Sequence, residues 1–247
     1  MQSNLIVGVA LALAVACVSA ETAWPNVALP KEASRFAIAE QMTVNGLPMR
    51  MQGFVSKARL PQVAQWFRDN LGQPLVENTL ANKLILGRAQ GDYYILVQLE
   101  SIGNASDGGT RGLVAVSQLK TAFDNRSATR AAAERLLSRL PSGSRLMSQM
   151  ASTDGDKQAS YVVISNSYNE DLNRDRLTSM LREDGFSLER EAQAISDTRH
   201  QLPASASNGK TLFFKGPGKE AMAVIVRDEA GRTTVVINTI TVMERFK

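Results

Sequence analysis

The stretch that decides the fold runs from residue 83 to residue 100 and reads KLILGRAQGDYYILVQLE. Two apolar runs, Lys83–Arg88 and Tyr93–Glu100, flank the tetrapeptide Ala89-Gln90-Gly91-Asp92. Strand-forming runs on either side of a short glycine-containing turn predict a β-hairpin. Alternate side chains of the second run form two largely apolar sets, so we expect at least one face of that strand to be buried.

This hairpin belongs to a longer pattern over residues 35–120. An earlier hairpin is predicted over Phe36–Ser56, with its turn at Asn45-Gly46, the residue pair that best suits a two-residue turn. A helix is predicted over Pro61–Leu71, and a closing strand over Leu113–Leu119. The predicted order of elements is hairpin, helix, hairpin and strand, or ββαβββ.

The same order recurs over residues 144–247. Its predicted elements are a hairpin over Arg145–Ile164, a helix over Glu170–Glu183, a hairpin over Leu212–Arg227 and a strand over Thr233–Thr241. The two predicted helices are separated by fewer residues along the sequence than the two second hairpins are. The second unit therefore has a polar insertion between its helix and its second hairpin, at about residues 189–209. The alternative is that two similar small sheets share the pattern by coincidence.

We therefore predict an α+β fold of two similar antiparallel-sheet units. The connecting segment, residues 121–143, contains an amphipathic helix over Ser127–Leu140 that we expect to pack on a sheet. Membrane-surface binding is the alternative role for this helix.

The first twenty residues have the pattern of a secretory signal peptide. Leu5–Val18 is an uncharged apolar run, and Val18-Ser19-Ala20 supplies small residues for cleavage. Residues 21–34 form an extended lead-in, and we expect no transmembrane segment in the mature chain. Export to a bacterial periplasm or to the medium follows. The alternative is an outer-membrane lipoprotein anchored at Cys17, the only cysteine.

Composition excludes several kinds of site. Cys17 lies in the leader and His200 is the only histidine, so we expect no disulfide, no metal site and no cofactor. The net charge of +4 includes an excess of three basic residues over residues 34–120, which is the pattern of a solvated surface or of one that meets an acidic partner. There is no dense basic stripe, so we expect no nucleic-acid binding.

Two short motif matches lack the context that their chemistry needs. Residues 204–211, ASASNGKT, fit a permissive phosphate-loop pattern, but the sequence that follows indicates a strand where a helix is required. Ser117-Gln118-Leu119-Lys120 spells S-x-x-K, but we expect these residues to end a strand, so that serine and lysine would not face each other as on a helix. We assign no catalytic residue.

Five residues are candidates for interaction with a partner. Trp66 lies at the margin of the apolar face of its helix, in the core or exposed for recognition. Tyr93 and Tyr94 point to opposite faces of a strand, so one of them is free to contact a partner. Arg199 and His200 lie in the polar insertion, where a solvated histidine is the simpler interpretation.

These observations favour an exported, non-enzymatic envelope protein that binds another protein or an envelope component. A sheet edge or the cleft between the two units would provide the contact. One alternative is a hydrolase whose serine, lysine and carboxylate residues only the fold brings together, and another is a periplasmic binder of small ligands.

Overall fold

The computed structural model describes residues 23–103, 108–193 and 209–243. Twelve strands and four helices lie in these ranges. The strands are β1 Ser34–Val44, β2 Leu47–Ser56, β3 Val76–Leu80, β4 Lys83–Gln90, β5 Tyr93–Ile102, β6 Gly109–Gln118, β7 Arg145–Asp154, β8 Lys157–Asn166, β9 Ser187–Gln193, β10 Lys210–Gly216, β11 Lys219–Arg227 and β12 Thr233–Val242. The helices are α1 Leu60–Leu71, α2 Leu119–Asp124, α3 Arg126–Ser138 and α4 Glu170–Glu183.

All strand pairs are antiparallel, and the strands form one sheet in the order β3-β4-β5-β6-β2-β1-β7-β8-β12-β11-β10-β9. The α+β prediction is therefore confirmed. The prediction of a separate sheet in each unit is wrong, because β1 and β7 pair through Gln41–Val44 and Met150–Thr153. The Asn45 side chain strengthens this junction by accepting a hydrogen bond of 2.8 Å from the Gln149 backbone N–H.

The predicted order ββαβββ is also one strand short in each unit. β3 and β9 each follow a helix and form the two outer strands of the described sheet. β3 is a short polar segment that is exposed at every position, and β9 occupies the beginning of the predicted insertion. Neither strand has an apolar face to bury, so hydrophobic periodicity gives no signal for them. The rest of the insertion, 194–208, lies outside the described residues.

Three helices pack on one face of the sheet, which we call the helix face. Val63, Phe67 and Leu71 of α1 join a core with β2, β4, β5 and β6, as their helical spacing predicts. Leu177 and Leu181 of α4 join a second core with β8, β10, β11 and β12. The connecting helix α3 adds to this second core, which confirms that it packs on the sheet.

The lead-in also lies on the helix face, beside α1. Trp24 and Leu29 pack against the first core, and Val27 is buried within it. The α1, α3 and α4 helices cover the two halves of the sheet, and among the described elements the central strand β1 packs mainly on its neighbours β2 and β7 rather than on a helix. None of the helices in the described ranges is long and apolar enough to cross a membrane.

Candidate functional site

A polar groove crosses the centre of the helix face, and we call it the central groove. It consists of two adjoining cavities of about 590 and 820 Å³ that share Trp24, Glu40, Gln41 and Arg50 in their walls. β1 forms its floor from Arg35 to Thr43, a length of about 27 Å at the rise of a β-strand. The groove is therefore long and shallow rather than an enclosed pocket.

Trp24 forms one wall of the groove and is held between two side chains. The Arg50 guanidinium lies over its indole ring at 4.7 Å, and the ring of Tyr93 packs against it at 5.3 Å. A guanidinium over an aromatic face is a favourable contact. The Gln52 amide donates a 3.4 Å hydrogen bond to the Val27 carbonyl oxygen, so the sheet also holds the backbone of the lead-in.

Neutral hydrogen-bonding side chains share the rest of the lining with apolar ones. Gln118, Thr153 and Gln158 extend the polar lining from β6 to β7 and β8, and the backbone register places Gln41 directly opposite Thr153. Amides donate and accept hydrogen bonds, and hydroxyls do both as well. This lining is suited to binding polar backbone or hydroxyl groups rather than to proton transfer.

The predicted interaction residues are not brought together at one place. Trp66 is half-buried and packs edge-on against the ring of Phe67, with the ring centroids 4.9 Å apart. Tyr93 is a core residue at 3% exposure that supports the groove wall through Trp24. Tyr94 lies on the opposite face of the sheet, with its hydroxyl close to the Gly87 backbone.

Arg199 and His200 lie outside the described residues, as do residues 204–208 of the phosphate-loop match. The match ends in β10, which begins at Lys210, as the sequence predicts. The expectation that Ser117 to Lys120 all end a strand is wrong in part. β6 ends at Gln118, and α2 begins at Leu119. Serine and lysine still belong to different elements.

The described residues contain no cluster of three or more His, Cys, Asp or Glu side chains that could hold a metal ion. The groups whose pKa values depart from their ordinary range belong to surface ion pairs outside the groove. A hydrogen bond from Arg68 lowers the pKa of Glu77, and one from Lys210 lowers the pKa of Asp171. The backbone N–H of Arg232 lowers the pKa of Asp228. Pairs of this kind fix surface geometry, and their pKa shifts do not point to a catalytic site.

Sequence reasoning did not identify the residues of the groove. Trp24 stands in a proline-containing lead-in, and Arg50 and Gln52 alternate with apolar residues along β2. The available signal was the presence of polar side chains at those positions of a strand where a core-facing residue would be apolar.

Comparison with protein-family models, with curated proteins and with solved structures found no match.

Proposed function

We propose that this chain is an exported, non-enzymatic envelope protein that binds an extended polar segment of a partner protein in the central groove. The observation that carries the proposal is the groove itself, a strip of uncovered sheet about 27 Å long between two helix-covered halves. This length suits about eight residues of extended chain. The charged residues of the lining are Arg35, Glu40 and Arg50, and the remaining lining residues are neutral.

The lead-in is the precedent for such binding. It is an extended segment on the helix face, anchored by Trp24 and by the hydrogen bond from Gln52 to the Val27 carbonyl oxygen. Gln41, Gln118 and Gln158 present the same amide chemistry in the part of the groove that the lead-in leaves open. A partner backbone could be held there in the same way, by side-chain amides rather than by a strand edge.

The experiment is affinity capture from the native envelope with a matched pair of charge reversals. Arg50→Glu places a second carboxylate beside Glu40 and should reduce recovery of the partner about tenfold or more, the range for loss of a charged interface contact. Arg176→Glu changes an exposed arginine of α4 outside the groove and should leave recovery unchanged. If both variants recover the partner as the wild type does, or if the protein turns over a substrate in a hydrolase screen, the proposal is wrong.

We also propose that the two units are a tandem duplication. Support comes from a buried threonine in equivalent strands. Thr110 of β6 donates to the Ala58 carbonyl oxygen just before α1, and Thr233 of β12 donates to the Tyr168 carbonyl oxygen just before α4. In both halves the strands after the helix occupy the outer part of the sheet, with the last of them returning to the opening hairpin.

The ends of the two helices support the same proposal. α1 is followed by Gly72 and α4 by Asp184-Gly185, and both glycines have φ of 78°. In each case a cationic side chain donates to the carbonyl oxygen before the glycine: Arg88 to Leu71, and Lys219 to Asp184. Cations near the carbonyl end of a helix are favourable. Two units of independent origin would have no reason to share this arrangement.

Export of the chain is a proposal that rests on the leader sequence. N-terminal analysis of the protein recovered from cells should find a new end at Glu21 if cleavage follows Ala20. A lipid-modified Cys17 at the new end would instead support the outer-membrane lipoprotein. An intact Met1 would contradict both forms.

A further inference from the structure

The face of the sheet opposite the helices carries a large apolar side chain on each of its eight central strands, with small residues such as Ser117 and Ser152 between them, and we call it the open face. The backbone register connects Tyr94, Ser117, Met49, Met42, Ser152, Ala159 and Ile240, residue by residue, along this face. Tyr94 directly follows the core residue Tyr93, and Ile240 lies an odd number of positions after the core residue Ile237. Their side chains therefore point away from the core. The open face therefore continues unbroken from one half to the other.

The lining of this face is unusual for an uncovered surface. Besides those residues it includes Phe36, Met51, Val55, Leu96, Leu113, Met150, Tyr161, Val163, Met222, Val224, Val236 and Val242. Five of its apolar residues are more than a third exposed: Val55, Met222, Val242, Ile240 and Phe36. No helix of eight or more residues packs on this face within the described ranges. A continuous apolar surface of this extent indicates a contact with another molecule.

The size and charge of the open face indicate which molecule that is. Its eight central strands span about 34 Å and, over about eight residues each, give a footprint of roughly 900 Å². A stable interface needs about 800 Å² from each partner. The charged residues that these strands place on the open face lie within two residues of a strand end and include both signs, so the middle of this face is uncharged: Glu100, Arg111, Arg145, Asp154, Lys157 and Glu220.

We propose that the open face binds the open face of a second copy of this chain, so that two sheets stack as a sandwich. A neutral and largely apolar face can pack against a second copy of itself, as an isologous dimer requires. Methionine side chains adapt to an opposing surface, and five of them lie here: Met42, Met49, Met51, Met150 and Met222. Trp24, Arg50 and Gln52 of the central groove lie on the other face, so the dimer leaves these side chains uncovered and this inference does not depend on the proposed function.

The test is the molar mass of the purified chain, measured by light scattering over a wide concentration series. The wild type should be a dimer. Met222→Lys and Val55→Lys, one change in each half of the sheet, should weaken the dimer by at least about 100-fold, because each buries an unpaired charge. Leu172→Lys is the matched control, since Leu172 of α4 is as exposed as Val55 but lies on the helix side. It should remain dimeric.

Circular dichroism of each variant separates loss of the dimer from loss of the fold. A wild type that is monomeric would overturn the proposal by itself. The proposal would also be overturned if both lysine variants were folded and still dimeric. Flotation with vesicles of neutral and anionic phospholipid tests the other occupant. Binding of a monomer to vesicles, abolished by Met222→Lys, would assign the open face to a lipid surface and overturn the dimer.

Discussion

At the scale of single residues, two buried threonines link the sheet to the loops that precede the main helices. The Thr110 hydroxyl donates to the Ala58 carbonyl oxygen at 2.8 Å, and the Thr233 hydroxyl donates to the Tyr168 carbonyl oxygen. Both threonines have no exposed surface. A partly buried carbonyl oxygen that loses its donor loses a favourable contact, so these hydrogen bonds help to fix where each helix begins.

Replacement of either threonine with valine keeps the side-chain shape and removes the donor. We expect Thr110→Val and Thr233→Val each to lower the free energy of unfolding by about 1–3 kcal/mol, with the smaller loss for Thr233→Val because the Tyr168 carbonyl oxygen also accepts a 3.4 Å hydrogen bond from the Asn173 amide. Urea denaturation measures the change. Thr79→Val on the exposed strand β3 is the control and should have little effect. No measurable loss in Thr110→Val would contradict a stabilising role for this contact.

The candidate residues show what a sequence alone can predict at this scale. Alternation along β5 correctly separates Tyr93 from Tyr94, since neighbouring side chains of a strand point to opposite faces. It does not say that Tyr93 supports Trp24, because that contact joins residues far apart in the chain. The groove was missed for the same reason: its residues come from the lead-in and from five separate strands.

At the scale of elements, Arg139 joins the connecting helix to α4. It follows directly after α3, and its guanidinium donates to the Met180 carbonyl oxygen at 2.7 Å and to Asp184 at 2.9 Å. The hydrogen bond to Asp184 is the main cause that raises the pKa of Arg139 above its ordinary value, and Glu183 adds to it. The Arg139 side chain thus donates both to a carbonyl oxygen in the last turn of α4 and to a carboxylate beyond its end.

Arg139→Lys keeps the charge but removes the planar fork that reaches both groups. We expect it to lower the free energy of unfolding by about 1 kcal/mol, since a lysine makes one such contact at a time. Arg135→Lys, one turn earlier on α3, is the control and should be neutral. Chemical denaturation of the two variants provides the measurement, and equal stability of both would show that the fork contributes nothing.

Elements with a strong apolar pattern were predictable, and the others were not. The bounds of α4 are those that the sequence predicts, because Asn169 caps its first turn and Gly185 follows its end. β3 and β9 were missed because they are polar outer strands that depend on pairing with β4 and β10. The pairing of β1 with β7 was missed because register between distant strands leaves no local pattern.

At the scale of the whole molecule, one sheet presents two different surfaces. The helix face has its cores under α1, α3 and α4, with the polar groove between them. The open face is uncharged and largely apolar in its middle, and a second copy is proposed to bind there. The proposed partner segment and the proposed second copy therefore bind on opposite sides of the sheet.

The most direct test of partner binding in the central groove is site-specific photo-cross-linking in the living cell. A photoreactive amino acid replaces Gln158 inside the groove or, as a control, Arg176 on the outer surface of α4. We predict one discrete cross-linked species from position 158 that is lost when Arg50→Glu is added, and none from position 176. The same species from both positions, or none from position 158, would contradict binding in the groove.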